Sequence, residues 1–299
     1  MGAELDLLGI GQISLDRVGR VERLPRRGEK CSLESEHQLP GGQIATALLA
    51  AARLGASARF VGAVGDDPAA DLALAPLVAA GIDTRDVQRV VGAPTRQAWV
   101  LVERASGERT ILERRAEALA LPIPPLDPAV VAGARLLLLD TQHLEAAHWA
   151  ADVARSAGVP VLLDADRPSD GVLALLRKVD FPIVSLGFAE EFSSDASLVE
   201  TLRALSGTAT RMAVITRGAR GSLAWIGDRV IQTPAPPIDV VDTTGAGDVF
   251  RAAFACALLA GRDEERALDE ANVAGALSCR ALGAQGALPT RDEVDARLS

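Results

Sequence analysis

At 299 residues the chain is long enough to bury a substantial core, in one large α/β domain or two modest ones. Its formal net charge of -9 excludes a broad electrostatic grip on nucleic acid or an anionic membrane, so any phosphate must be held locally by backbone N–H groups and a few chosen cations. With 48% hydrophobic and 24% charged residues, it has the composition of a globular protein rather than a disordered one.

In chain order, short apolar strands alternate with longer helical segments. A strand is expected over residues 5–11, then a charged segment without helical period at 20–40, a helix over 43–54 and a strand over 58–64. The helix expected over 69–80 contains Pro76, which should kink or break it. Residues 88–114 read as extended segments with turn chemistry at 105–108, and within 97–103 the residues Ala98, Val100 and Val102 share one side. Strands follow at 135–140, 160–164, 181–185 and 212–216, and helices at 144–157, 198–205, 248–259 and 264–281. Alternation of this kind implies crossover connections and a mostly parallel sheet with helices on both faces. The two irregular segments, approximately 20–40 and 88–114, are read as strands of a small accessory sheet within a single domain, 1–299. Ordinary surface hairpins are the alternative for them.

The mean hydropathy of +0.19 calls for a check of the apolar runs. Arg53 interrupts one at 47–56 and Arg135 another at 129–139, well short of the roughly 18 residues a membrane span needs. The start, with Glu4 and Asp6, lacks the positive charge of a signal peptide, and Asp6 stands where a myristoylation motif wants Ser or Thr. A cytoplasmic protein is expected. Cys31, Cys256 and Cys279 are widely spaced with no CxxC pair, which argues against a disulfide framework or zinc site.

The sharpest feature is Val241-Asp242-Thr243-Thr244-Gly245-Ala246-Gly247-Asp248-Val249-Phe250, opening an apolar helical run. Gly245, Ala246 and Gly247 allow close approach of a ligand to backbone, and their N–H groups lie at a helix start, where donors lack intrahelical partners and the helix dipole favours an anion. A carboxylate beside a phosphate cradle repels its ligand unless it has a task. Phosphoryl transfer supplies one: Asp248 can orient an incoming hydroxyl and take its proton late, while the N–H groups stabilise the transferring group. The plainer reading is that Asp248 only caps the helix.

This string resembles the C-terminal signature of the ribokinase-like sugar kinases, also called the PfkB carbohydrate kinase family, and the likeness covers nearly the whole chain. An N-terminal counterpart is Gly41-Gly42-Gln43-Ile44-Ala45-Thr46 followed by Ala50-Ala51-Ala52-Arg53-Leu54-Gly55. The resemblance implies a three-layer α/β/α fold with a mostly parallel central sheet and a small β-sheet lid. It also implies ATP, Mg²⁺ and a sugar or nucleoside substrate. Carried over by position, Asp248 is the base and Gly245, Ala246 and Gly247 the anion hole. Ser14, Asp16, Gly41, Gly42, Gln43, Thr46 and Asp140 match the substrate side. Ser185, Thr216, Gly218, Gly221 and Asn272 match the nucleotide side. Some members also hold a monovalent cation such as K⁺, and Asp242, Thr244, Ser278, Ala281 and Gly283 lie in the matching places.

Departures from the family pattern are specific. Gln43 and Thr46 sit where many sugar kinases of the family have Asn, or Lys then Asn. The metal- and phosphate-organising Asn-x-x-Glu appears as Ser185-Leu186-Gly187-Phe188-Ala189-Glu190-Glu191, with Phe188 in place of Glu, and Glu190 or water as its substitute. Three rival readings were weighed against this one. A dehydrogenase fails because Gly9-Ile10-Gly11 leads to Ser14 and a charged segment with Pro25 instead of a helix, and a P-loop kinase fails for want of GxxxxGK[ST]. A non-catalytic sugar- or nucleotide-binding protein has no use for Asp248. A nucleoside or sugar-phosphate kinase of the same family remains the alternative to a free-sugar kinase; Arg114 and Arg115 would suit a sugar phosphate or simply face solvent. Free edges of the accessory sheet suggest a homodimer.

Overall fold

A computed structural model describes residues 5–298, so the reading of residues 1–4 as carrying no leader lies outside it. The chain begins with β1 (Leu5–Ile10), β2 (Ser14–Val21), β3 (Ser35–Gly41), α1 (Gln43–Arg53), β4 (Ala58–Val61), β5 (Ala63–Gly65), α2 (Pro68–Ala79) and β6 (Gln88–Val90). Next come β7 (Gln97–Glu103), β8 (Arg109–Arg114), α3 (Pro128–Ala132), β9 (Ala134–Leu139), α4 (Leu144–Ala157), β10 (Val161–Ala165) and α5 (Asp170–Leu176). Then follow β11 (Phe181–Ser185), α6 (Leu186–Phe192), α7 (Leu198–Leu205), β12 (Ala213–Thr216), β13 (Ser222–Ile226), β14 (Arg229–Thr233), α8 (Ala246–Leu259), α9 (Glu264–Ser278) and α10 (Arg291–Leu298).

Eight strands form the main sheet in the order β14-β13-β12-β11-β10-β9-β1-β4. The pairs from β4 to β12 are parallel, and the β13–β14 end is antiparallel. Because successive strand residues point to opposite faces, the apolar run of β9 feeds two cores at once. Leu136 and Leu138 pack with α1, α8 and α9; Leu137 and Leu139 pack with α4 to α7. On α4 the buried stripe is all alanine (Ala146, Ala147, Ala150, Ala151, Ala154), a helical period with small side chains that brings the helix axis close to the sheet. Helix α8 is buried from Val249 to Ala257 because α1, α9 and the sheet enclose it, and Phe254 meets Phe181 edge-on at 5.5 Å. The glycine turn at its start is therefore anchored to a buried helix.

A second, four-stranded sheet runs β3-β2-β7-β8. Ala98, Val100 and Val102 do share its inner face, joined by Val18, Leu39 and Leu282. Its composition differs from expectation in two ways. Ser14–Val21, in large part read as charged and aperiodic, pairs parallel with β7, while Gln88–Val90 leaves this sheet to pair with β5. The expected strand over 58–64 divides at Gly62, where a Cβ would stand 2.7 Å from the Gly11 carbonyl oxygen. Pro76 does not break α2, since the one bond its missing N–H forfeits is to Leu72, which is exposed to water.

Candidate active site

The parallel strands end on one side of the sheet, where ligands of open α/β folds bind. There β1 leads to Gln12, β9 to Asp140, β10 to Asp164 and Asp166, β11 to Ser185 and β12 to Thr216. The starts of α1 and α8 face the same edge. The row thus runs from the residues expected on the nucleotide side, at β11–β12, to those expected on the substrate side, at β9–β1.

On the substrate side, Ser14 and Asp16 turn toward Gly41, where a Cβ would collide with the Asp16 carboxylate. Gly42 caps α1 at φ 97°, with a hypothetical Cβ 2.5 Å from the Ile13 Cα, so backbone geometry and crowding both demand glycine. Gln43 donates its amide to Asp164 (3.1 Å) and Asp166 (2.9 Å), and Thr46 accepts from Gln285 (3.3 Å). Asp140 is fully buried and accepts the N–H groups of Gln12 (2.7 Å) and Gln142 (2.9 Å). Burial pushes its carboxyl up to about 7 against those two bonds.

Gly245 is the N-cap of α8 at φ 80°, and Asp248 occupies the first turn without being the cap. Residues 245–248 are all half-buried, so the turn opens to the cleft and is not sealed under packed side chains. Burial pushes Asp248 up to about 7; Arg251 pulls it down, Asp166 pushes it up, Arg109 pulls it down and Asp140 adds a further upward push. Water reaching its open edge moderates that upward drive. Arg251 sits one helical turn later, 2.6 Å from Asp164 and 3.2 Å from the Ile183 carbonyl, and a Cβ on Gly247 would meet its Nη1 at 2.7 Å. Asp164 is buried and held well above its ordinary range by that burial, with Arg251 opposing. Asp166 stands open to water.

On the nucleotide side, Ser185 caps α6 by accepting the Phe188 N–H, and Phe188 is in the core while Glu190 and Glu191 are exposed. Thr216 ends β12, and Gly218 and Gly221, at φ 57° and 75°, form the turn after it. Asn272 is buried and spends its amide on Ser222 (2.9 Å) and Leu268 (2.8 Å). Beneath the α8 turn, buried Asp242 accepts from the Thr244 N–H (2.8 Å), the Thr244 hydroxyl (2.6 Å) and the Gly283 N–H (2.8 Å). The segment carrying Ser278, Ala281 and Gly283 curls back to it from α9, and the Cys279 carbonyl accepts the Val241 N–H at 2.8 Å.

A carboxylate at an open helix-start amide turn, set in a row of strand ends, is the arrangement expected of Asp248 and residues 245–247. The pfkB family carbohydrate kinase model matches residues 5–291. The chain belongs to that family. As a PfkB kinase it is 32% identical to the ribokinase of Bacillus subtilis over 97% of this chain and 98% of that one. It is also 32% identical to the ATP-dependent ribose-1-phosphate kinase of Halopiger xanaduensis, over 98% of each. The structure of Arabidopsis thaliana ribokinase complexed with ribose and ATP superposes with a TM-score of 0.82, 28% identity and 99% coverage of both chains.

Several residues that this PfkB kinase places in the cleft escaped the sequence reading: Gln12, Arg96, Asp164, Asp166 and Arg251. Two left a signal. Asp164-Ala165-Asp166 puts carboxylates at the end of an apolar parallel strand, and Arg251 interrupts an otherwise apolar helix three residues after Asp248.

Proposed function

We propose that this carbohydrate kinase transfers the terminal phosphoryl group of ATP to a hydroxyl of a small sugar. The observation that carries the reading is the half-buried Asp248 carboxylate set beside the open amide turn 245–247 at the start of α8. The N–H groups of Gly245, Ala246 and Gly247 hold negative charge on the transferring phosphoryl, and Asp248 orients the sugar hydroxyl and accepts its proton as the new bond forms. Ser14, Asp16, Gly41, Gly42, Gln43, Thr46 and Asp140 bind the sugar. Thr216, Gly218, Gly221 and Ser185 border the nucleotide, and Asn272 braces that wall from inside, because its amide is committed to Ser222 and Leu268.

Among the described residues, no three acidic, His or Cys side chains gather as a metal site. That donor set suits Mg²⁺ arriving on the ATP phosphates, where it keeps several waters and neutralises the polyphosphate charge. A monovalent cation fits the Asp242 loop: its carboxylate is buried and bonded only to neutral donors among the described residues. Replacing K⁺ by choline in the assay should lower the rate if that cation is used. The sheet β3-β2-β7-β8 acts as a lid over the sugar, and its outer strands β3 and β8 offer edges for a homodimer, which light scattering on the eluted protein would test. Among the described residues no helix is long and apolar enough to cross a membrane, which fits work in the cytoplasm.

The deciding experiment is single-turnover transfer of labelled phosphoryl from ATP to a panel of sugars and nucleosides. Transfer to none of them, by a folded protein that still binds ATP, would leave a non-catalytic binder as the better reading.

A further inference from the structure

The turn that joins β7 to β8 is docked on residues 240–244, the irregular stretch leading into the amide turn of α8. Residues 104–106 of the turn are exposed, but Gly107 is buried. Its carbonyl accepts the Thr243 N–H at 3.0 Å and the Thr243 hydroxyl at 3.1 Å. From the start of β8, the Arg109 guanidinium donates to the same hydroxyl at 3.2 Å. Shape confines Gly107 to this seat as well: its φ is 69°, and a Cβ would stand 2.5 Å from Val240 Cγ1.

Thr243 passes the contact on, because its own carbonyl accepts the Ala246 N–H of the amide turn at 3.3 Å. The neighbouring Asp242 is held by the Gly283 N–H, and a Cβ on Gly283 would meet Leu39 Cδ1 of β3 at 2.5 Å. Leu39 and Leu282 pack against Val18, Ala98, Val100 and Val102 on the inner face of the small sheet. That sheet therefore holds the stretch before α8 at two points, one polar at its hairpin turn and one apolar at β3. An irregular stretch has no ladder of its own, so its backbone groups take their positions from such outside partners. Apolar packing alone would keep the two parts together; hydrogen bonds at Thr243 also fix direction and distance. Burial raises the Asp248 carboxyl, and Arg109 joins Arg251 in opposing that rise, so the hairpin also lies within electrostatic reach of Asp248.

We infer that the β7–β8 turn is a positioning element for phosphoryl transfer: Gly107, supported by Arg109, holds Thr243 so that the amide turn 245–247 stays in register with a sugar bound by the same small sheet. The inference rests on the kinase reading of the Asp248 site. It adds that the acceptor side and the phosphoryl side move as one unit. Displacing reacting groups by about 1 Å can cost about 100-fold in rate, so a contact remote from the chemistry can still govern it.

The test breaks the contact in the full-length protein, assayed with ATP and the best acceptor of the sugar panel. In Thr243→Val, which loses the hydroxyl at nearly constant volume, kcat should fall by about 10–100-fold while KM for ATP changes by less than about 3-fold. Thr243→Ser restores the hydroxyl and should recover most of the loss. Misalignment should also let water accept the phosphoryl group, read as ADP and inorganic phosphate formed in excess of phosphorylated sugar. Gly107→Ala attacks the same contact from the hairpin, and the double variant should lose no more than the worse single one. Arg104→Gln, which breaks ion pairs with Glu22 and Glu34 inside the small sheet, should keep the wild-type kcat. Unchanged kcat in Thr243→Val, no recovery in Thr243→Ser, or additive losses in the double variant would each overturn the inference. If the wild type phosphorylates no sugar, the kinase reading fails separately. Hydrogen exchange then still reads the contact: Thr243→Val should speed exchange at 104–109 and 240–248 together, and faster exchange at only one of them overturns the coupling.

Discussion

At the scale of single residues, the chemistry turns on how Asp248 keeps a usable pKa. A base works only when ionised. With its carboxyl pushed to about 7, Asp248 is protonated and idle below that pH, so kcat/KM should rise with pH through about 7 and then level. Arg251 is the largest influence in the opposite direction, and it also pairs with Asp164 and lies against Gly247. Arg251→Met should therefore move the rising limb to higher pH, whereas Arg251→Lys, which keeps the charge, should leave it nearly in place; pH–rate profiles of the two variants check this. Asp248→Asn should lower turnover by roughly 10²–10⁴ with ATP affinity little changed, read by steady-state kinetics beside nucleotide titration. Near-normal turnover in that variant would remove Asp248 from the role of base. Arg251 and Asp164 were not singled out from sequence because their meaning is a spatial pairing across 87 positions, between β10 and α8. Asp248 was, because its neighbours in sequence are also its functional neighbours.

At the scale of elements, two positive-φ glycines at helix ends differ in what surrounds them. Gly42 at the start of α1 combines φ 97° with backbone of Ile13 and Gln12 in the place of a side chain. Gly158, after α4, has φ 73° but open space around it. Gly42→Ala should thus cost well above the roughly 1–2 kcal/mol expected of Gly158→Ala from backbone conformation alone, as measured by urea unfolding. Buried α8 adds a packing prediction: Phe254→Ala removes the edge contact with Phe181 and should cost about 3–5 kcal/mol, seen as a lower denaturation midpoint with unchanged slope. The helix at 144–157 and the one at 198–205 were legible to the residue from their helical pattern. The β13–β14 hairpin was not, although Gly227-Asp228 is a hairpin signal, because its strands flank a region read mainly for the Thr216 turn.

At the scale of the whole molecule, the small sheet carries Ser14 and Asp16 on β2 and Gly41 on β3, the residues proposed to bind sugar. Closure of β3-β2-β7-β8 over bound sugar would exclude the water that otherwise hydrolyses ATP. Hydrogen exchange should show peptides from 14–21, 35–41 and 97–114 slowed when sugar and a non-hydrolysable ATP analogue are both present. Equal exchange with and without the ligands would count against a closing motion. The net charge of -9 constrains this arrangement: an acidic chain would have to receive polyphosphate through a few local cations and the backbone N–H groups at the start of α8.

The sequence alone determined the alternation of strands and helices, the parallel sheet, the glycine turn with its carboxylate and the PfkB resemblance, because each is a local pattern of period, turn chemistry or contiguous motif. Tertiary structure decided which charges share the cleft. Arg96, Arg251, Asp140 and Asp164 arrive there from β-strand ends, a loop and a helix far apart in the chain, and the raised pKa values of Asp140 and Asp164 follow from burial, which a linear pattern does not contain.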